Sequence, residues 1–274
     1  MSSRYEREGD APPAPEPLRV ETVDAHCHLD LMGVEDDLAT ALALSASVGV
    51  PRVVTIGVDV ETSRLAARQA DAHPGILAAA AIHPNSADEA TDEALRAIEA
   101  LASVDRVRAI GETGLDYYRD TADVANQHRS FRAHIQIAKA TGTALVIHDR
   151  EAHDDVLRLL REEGAPERTV FHCFSGDAEM ARTCADLGYY LSFAGNVTFK
   201  NAQHLRDAAA LAPLDLLLVE TDAPFLTPMP YRGRPNAPYL IPLTVRALAA
   251  VKGVDEDDVA GAVAANAERV FGAW

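Results

Sequence analysis

Cysteine is scarce: only Cys27, Cys173 and Cys184 occur in a chain of 274 residues. An odd number without CxxC spacing supports neither a disulfide framework nor a thiolate metal site, and it points to a reducing compartment, with the cytoplasm as the default. Long apolar runs are missing too. Charged or polar residues interrupt every hydrophobic stretch before the roughly 18 residues that a membrane-spanning helix needs, so no membrane protein is expected. Residues 1–20 hold Pro12, Pro13, Pro15 and Pro17 among mixed charges, with no apolar core of the signal-peptide kind. They read as a disordered tail. Neither GxGxxG nor GxxxxGK[ST] is present, which removes the main cues for a dinucleotide-binding or P-loop protein. Positive charge is also in short supply, since 25 Lys and Arg face 42 Asp and Glu for a formal net charge of −17. The chain as a whole repels polyanions, so any nucleic acid must be held at a locally positive or metal-neutralised place.

What is present is an ordinary globular composition, 48% hydrophobic and 24% charged, which excludes wholesale disorder, a collagenous repeat and a disulfide-stapled mini-protein. Apolar or β-branched runs near 23–26, 52–58, 76–82, 106–112, 144–148, 169–172, 189–193 and 216–220 predict eight strands. Amphipathic stretches at 35–48, 61–70, 88–101, 124–140, 153–163 and 178–187 predict crossover helices, and 255–271 a closing helix. Eight β/α units in this length favour an α/β fold of the (β/α)8 TIM-barrel type over an open doubly wound sheet. No linker interrupts them, so residues 21–274 are expected to form a single domain.

Catalytic groups of such a fold project from the carboxyl ends of its strands. His26 and His28 stand two apart at the end of the first strand, so both imidazoles point the same way and can grip one ion. Glu112, His148 and His172 end later strands, and the last apolar strand runs into Glu220-Thr221-Asp222. Four imidazoles with carboxylates suit zinc, manganese, iron or magnesium, and suffice for two ions about 3.5–4 Å apart. The pattern predicts a dinuclear hydrolytic centre at the strand ends. Other readings stay open for single residues: Asp222 could cap a helix before Pro224, His83 could close a turn before Pro84, and His153 could be an exposed helix residue.

The order of these residues, together with Asp24-Ala25-His26-Cys27-His28-Leu29-Asp30, Ile82-His83-Pro84, Gly111-Glu112-Thr113-Gly114-Leu115-Asp116-Tyr117, Ile147-His148-Asp149-Arg150, Phe171-His172-Cys173-Phe174-Ser175-Gly176, Glu220-Thr221-Asp222-Ala223-Pro224 and Tyr231-Arg232-Gly233-Arg234-Pro235-Asn236, resembles the TatD-like metal-dependent deoxyribonucleases of the amidohydrolase superfamily. The likeness runs from Val23 to Phe271. It implies a metal-dependent barrel hydrolase in which His26, His28 and Asp222 hold one divalent ion, Glu112 bridges, and His148 with His172 completes a second site. Two ions, magnesium, manganese or zinc, would lower the pKa of a shared water, with Asp222 both ligand and proton acceptor. Glu112 joins it in the expected catalytic pair. His83 resembles the family's substrate-side element, although Ala81 and Asn85 stand where the family usually has glycine and histidine.

The expected partner is DNA, entering as a single-stranded or frayed end and cleaved exonucleolytically, because a barrel mouth is a pit and not a groove. The metal ions would offset the acidic surface, and Arg150 and Arg232, inside the recognised motifs, are the expected phosphate clamps. Arg119, Lys200 and Arg234 follow strands as well, and Tyr117 or Phe225 could stack on bases. The alternatives are an amidohydrolase-type amide or ester hydrolase, aminoacyl-tRNA esters included, or a non-catalytic metal-binding barrel. A bridging lysine would favour several of the former, but Glu112 stands at that strand end. No obligate protein partner is expected.

Overall fold

The structure, a computed structural model, describes residues 10–33 and 37–274. Strands and helices alternate along it: β1 (Val23–Cys27), α1 (Leu38–Ser47), β2 (Arg52–Ile56), α2 (Val60–Ala72), β3 (Ile76–Ala80), α3 (Asp92–Leu101), β4 (Val107–Asp116), α4 (Val124–Thr141), β5 (Ala144–Arg150), α5 (His153–Glu163), β6 (Thr169–Phe171), α6 (Ala178–Asp186), β7 (Tyr190–Phe193), α7 (Gln203–Leu211), β8 (Leu217–Val219), α8 (Ile241–Lys252) and α9 (Glu256–Phe271). The sheet order is β1 through β8 in sequence. This is the (β/α)8 topology of a TIM-type barrel. Among the described residues no helix is long and apolar enough to cross a membrane.

The chain groups into two compact units, one reaching from the amino terminus to Val54 and resuming at Gly176–Arg269, the other comprising Thr55–Ser175 with Val270–Trp274. In the first unit β7 and β8 run parallel, with Leu191 opposite Leu217 and Phe193 opposite Val219. Chain beyond β8 then lies against β1: Asp222 donates its N–H to the His26 carbonyl (2.9 Å), and His28 donates to that of Ala223 (2.8 Å). A sheet whose last strand neighbours its first is closed, which is how a barrel removes exposed edges. Val23, Leu191, Leu217, Leu218 and Val219 are fully buried at this seam.

Residues 10–20 correct the expected tail. Leu18 is buried and donates its N–H to the Val48 carbonyl (3.1 Å), the Tyr239 hydroxyl donates to the Pro12 carbonyl (2.6 Å), and the Arg246 guanidinium donates to that of Glu16 (2.9 Å). Proline-rich chain has little conformational entropy to lose, so a few anchors suffice to lay it down. Residues 1–9, the rest of that expectation, lie outside the described residues, as do the first two residues of the helix expected at 35–48.

In the second unit β3, β4, β5 and β6 pair in parallel. All five residues of β3, Ile-Leu-Ala-Ala-Ala, are buried, the near-continuous apolar run of a strand covered on both faces. Helices start where side chains can take the first N–H groups: Asp59 and Thr62 form a reciprocal cap on α2, and Asp123 accepts from Ala125 and Asn126 to begin α4. β4 is longer than expected. Glu112 does not close it; the strand continues to Asp116, and its register against β5 slips between Ile110 and Thr113, which face Leu145 and Ile147. An irregularity of this kind leaves extra residues opposite one partner and re-aims a side chain, and here it falls on Glu112. Gly114 lies just beyond at φ +144°, where an added Cβ would sit 2.0 Å from the His148 carbonyl oxygen, so no side chain fits.

Candidate metal centre

In the first unit His26 and His28 leave β1 on one side, both buried. Their Nε2 atoms lie 3.8 and 3.5 Å from the same Asp222 oxygen, Oδ1. Asp222 holds φ +53°, a left-handed conformation that few residues with a side chain adopt. No helix starts behind it, so the capping alternative falls. The turn is braced from both sides. Asp24, completely buried two residues before His26, accepts from the Thr221 N–H (2.9 Å), the Thr221 hydroxyl (2.5 Å) and the His26 N–H (3.2 Å). Burial pushes the Asp24 carboxyl up to about 7 against the pull of these bonds, and the nearby Glu220 charge adds to the rise. From the other side the Asn236 amide donates to the carbonyls of Thr221 (2.9 Å) and Phe225 (2.5 Å).

In the second unit Glu112 is the hub. One oxygen, Oε1, lies 2.5 Å from His148 Nδ1, 2.8 Å from His172 Nε2 and 3.3 Å from His83 Nε2. Burial alone would push this carboxyl up, but His172, His83 and His148 together hold it well below the usual carboxylate range. His148 is driven the other way: burial disfavours its charge, yet Glu112 and Asp116 raise its pKa. Glu112 Oε1, His148 Nδ1 and His172 Nε2 form a compact set of one oxygen and two nitrogens, the donor types that could hold a divalent ion. His83, Glu112 and His148 also offer ligand atoms within 4.8 Å of one another. His83 combines its two expected readings, because Nδ1 accepts the Asn85 N–H (3.0 Å) and shapes the turn while Nε2 faces Glu112.

Each unit also carries one of the expected clamps stacked on a ring. The Arg150 guanidinium lies 4.0 Å from the Tyr118 centroid, and Arg232 lies 4.2 Å from that of Phe199. Tyr117 is tied to the scaffold, its hydroxyl 2.7 Å from Asp155 and 2.6 Å from His128 Nε2, so the exposed aromatic beside Arg150 is Tyr118. Phe225 packs edge-on to His28. His153 starts α5 with Nδ1 2.7 Å from Asp149. Glu220 is fully buried and donates its N–H to the Phe193 carbonyl, while the three cysteines form no disulfide. Asp24, Asp116 and Asn236 went unassigned at the sequence level. Asp24 repeats the two-residue spacing of His26 and His28, and Asp116 stands four past Glu112, signals that strand parity alone makes visible.

The sequence model of the family described as TatD related DNase matches residues 23–272. The chain belongs to the TatD family. It is 46% identical over 257 residues to a metal-dependent hydrolase named TatD from Mycobacterium tuberculosis, covering 91% of this chain and 97% of that one. With the metal-dependent hydrolase YabD of Bacillus subtilis it shares 38% identity, over 90% and 98% of the two chains. The solved structure of the TatD homologue YJJV from Escherichia coli superimposes with a TM-score of 0.87 at 27% identity, covering 91% and 97%. A phosphotriesterase homology protein from the same organism has the same fold at 17% identity and a TM-score of 0.66. The chain thus shares both the sequence and the fold of the TatD family of metal-dependent hydrolases.

Proposed function

We propose that this chain is a divalent-metal-dependent deoxyribonuclease that hydrolyses DNA phosphodiester bonds, exonucleolytically and from single-stranded or frayed ends. The observation that carries the reading is the buried Glu112 carboxylate ringed by three imidazoles, within a chain matched over residues 23–272 by the TatD related DNase family. His26, His28 and Asp222 are the proposed ligands of one ion, and Glu112, His148 and His172 those of a second. Magnesium, manganese or zinc bound there supplies Lewis acidity, which lowers the pKa of water and neutralises charge that builds on phosphate oxygens.

The protein side of the chemistry follows from the contacts. Asp222, partly reachable by water on its left-handed turn, is the proposed proton acceptor for the attacking water. Glu112 is hemmed by imidazoles and stays ionised, which suits a ligand better than a base. His83 accepts the Asn85 N–H on Nδ1, so its neutral ring carries its proton on Nε2, a donor suited to a substrate oxygen. Arg150 and Arg232 hold flanking phosphates, letting a protein of charge −17 retain a polyanion through few contacts. The proposed location is the cytoplasm. The test is metal-stripped protein reconstituted with magnesium, manganese or zinc and offered end-labelled single- and double-stranded DNA, RNA and a carboxylic ester. Stepwise shortening of labelled DNA is expected. Ester cleavage without DNA cleavage would move the chain to the amidohydrolase alternative, and binding without turnover on any substrate would leave a metal-binding barrel.

A further inference from the structure

We propose that Asp116 is the positioning residue of the second-unit centre: it holds the proton of His148 on Nε2 and thereby commits Nδ1 to the metal. The inference rests on the ligand reading above and goes beyond it by naming which ring nitrogen binds and what selects it.

A neutral imidazole carries one proton, and its other nitrogen is the ligand atom. On the Nδ1 side of His148 stand Glu112 Oε1 at 2.5 Å and His172 Nε2 at 3.5 Å, the two partners with which it would share an ion. On the Nε2 side stands Asp116 Oδ2 at 3.3 Å. Glu112 Oε1 and Asp116 Oδ2 are both acceptors, so the single proton of a neutral ring can face only one of them; an ion shared by Glu112, His148 and His172 would take the Nδ1 lone pair and leave the proton on Nε2, facing Asp116. Metal-bound histidines are commonly oriented this way, by a carboxylate that accepts the second ring N–H.

Asp116 is built to be that acceptor. It is buried, at the last position of β4, where pairing with β5 sets Gly114 against His148 and Asp116 against Arg150. Gln127 clasps its main chain in both directions, accepting the Asp116 N–H at 2.9 Å and donating to the Asp116 carbonyl at 3.2 Å. Oδ1 is taken by the N–H groups of Tyr118 (3.0 Å) and Arg119 (2.9 Å). Only Oδ2 is left to turn toward the ring, shared with the Asn85 amide, which reaches it at 3.3 Å with its nitrogen turned inward. Because Oδ1 serves two backbone donors, the carboxylate cannot rotate without orphaning them, so the orientation of Oδ2 is set by the fold. The absence of any side chain at Gly114 allows the two strands the close approach this needs.

That asymmetry gives a sharp test. In Asp116→Asn the oxygen must stay with the two backbone N–H groups, which turns the amide NH2 toward His148 Nε2. A donor then faces the position that needs an acceptor, favouring the tautomer with its proton on Nδ1, where the metal should be. Three measurements follow on the full-length protein. In zinc-loaded wild type, long-range 1H–15N spectra should place the His148 proton on Nε2; a proton on Nδ1 overturns the proposal whether or not any variant folds. Zinc affinity, read by chelator competition, should fall about 10- to 100-fold in Asp116→Asn, the range seen when such a supporting partner is lost; affinity within twofold of wild type overturns it. In a His148→Ala background the same substitution should cost no further affinity, whereas an equal loss there would mean a merely structural role and would overturn it too. The ligand reading fails separately, if His148→Ala binds zinc as wild type does.

Discussion

In the first unit two imidazoles meet Asp222 at 3.5 and 3.8 Å on a turn that water partly reaches, while in the second three imidazoles press on Glu112 at 2.5 to 3.3 Å within a buried stretch of strand. The carboxylates also differ in backbone support. Asp222 rides a left-handed residue between two clamps, and Glu112 rides a slip in strand register. A carboxylate near solvent can pass a proton on; one surrounded by imidazoles holds its negative charge and serves as a fixed ligand. On the proposed reading the contrast would divide labour between proton transfer and metal retention, and it can be broken at several points.

The largest effect is expected for Glu112→Gln, which removes the one negative charge that three rings share. Hydrolysis should fall by about three orders of magnitude, within the span for loss of a central catalytic group, and added metal should not restore it. Recovery at high metal would make Glu112 no more than an affinity aid. Asp222→Asn should cost about a hundredfold at saturating metal while zinc binding by the second-unit cluster stays as in wild type. If instead both ions were lost together, measured as metal per chain, the two clusters would not be separable.

A third test concerns acid. His134 is buried in the second unit, accepting the Ile82 N–H on Nε2 (3.1 Å) and facing the Ser130 carbonyl through Nδ1 (2.7 Å). Burial pushes its pKa down from 6.5 to about 4 despite the Ser130 bond. The unfolded chain then takes up the proton more readily, so the stability this residue contributes above pH 6.5 is lost as pH falls toward 4, about 2 kcal/mol by pH 5. Urea unfolding of His134→Gln, whose carbonyl can accept the same N–H, should show a pH dependence flatter by that amount between pH 7 and 5. An unchanged slope would mean that the imidazole is not held neutral. In the first unit Asp24 shifts the opposite way, up to about 7, so acid eases its burial.

The smallest effect is expected at the two stacked arginines. With two or three phosphates gripped, the log-log dependence of single-stranded DNA binding on monovalent salt should have a slope near −2, and Arg150→Ala or Arg232→Ala should each flatten it by about 0.7. A loss at one and not the other would show that only one unit grips DNA, and a slope near −6 would require a basic surface that this acidic chain does not display.

All eight strands were legible because buried parallel strands are apolar runs with sharp polar ends, and His26, His28, His172 and Asp222 stood out as polar residues at or near those ends; His148, like Glu112, lies within its strand, which continues to Arg150. Period-two spacing could not reveal the slip that carries Glu112 inside β4. Nor could it reveal α7 and α8: α7 is a short Gln-His-Leu-Arg-Asp-Ala-Ala-Ala-Leu segment, and α8 opens on Ile-Pro after a proline-rich stretch, so neither has a clear start signal. The ordered segment at 10–20 was missed for a related reason. Its anchors are main-chain carbonyls, which every residue has and no composition displays. Asn236 was hidden because its work is done on backbone carbonyls eleven and fifteen residues earlier in the chain.

One amide, that of Asn236, ties both shoulders of the turn that carries Asp222, while Asp24 pins the same turn from β1. Freezing that turn costs entropy once, when the polypeptide folds, and not again at every catalytic cycle. Asn236 itself ends the stretch that begins with Tyr231 and Arg232. Arg232, the proposed phosphate clamp, stands four residues before that amide, so on the proposed reading the clamp and the proton acceptor would share one short anchored stretch of chain.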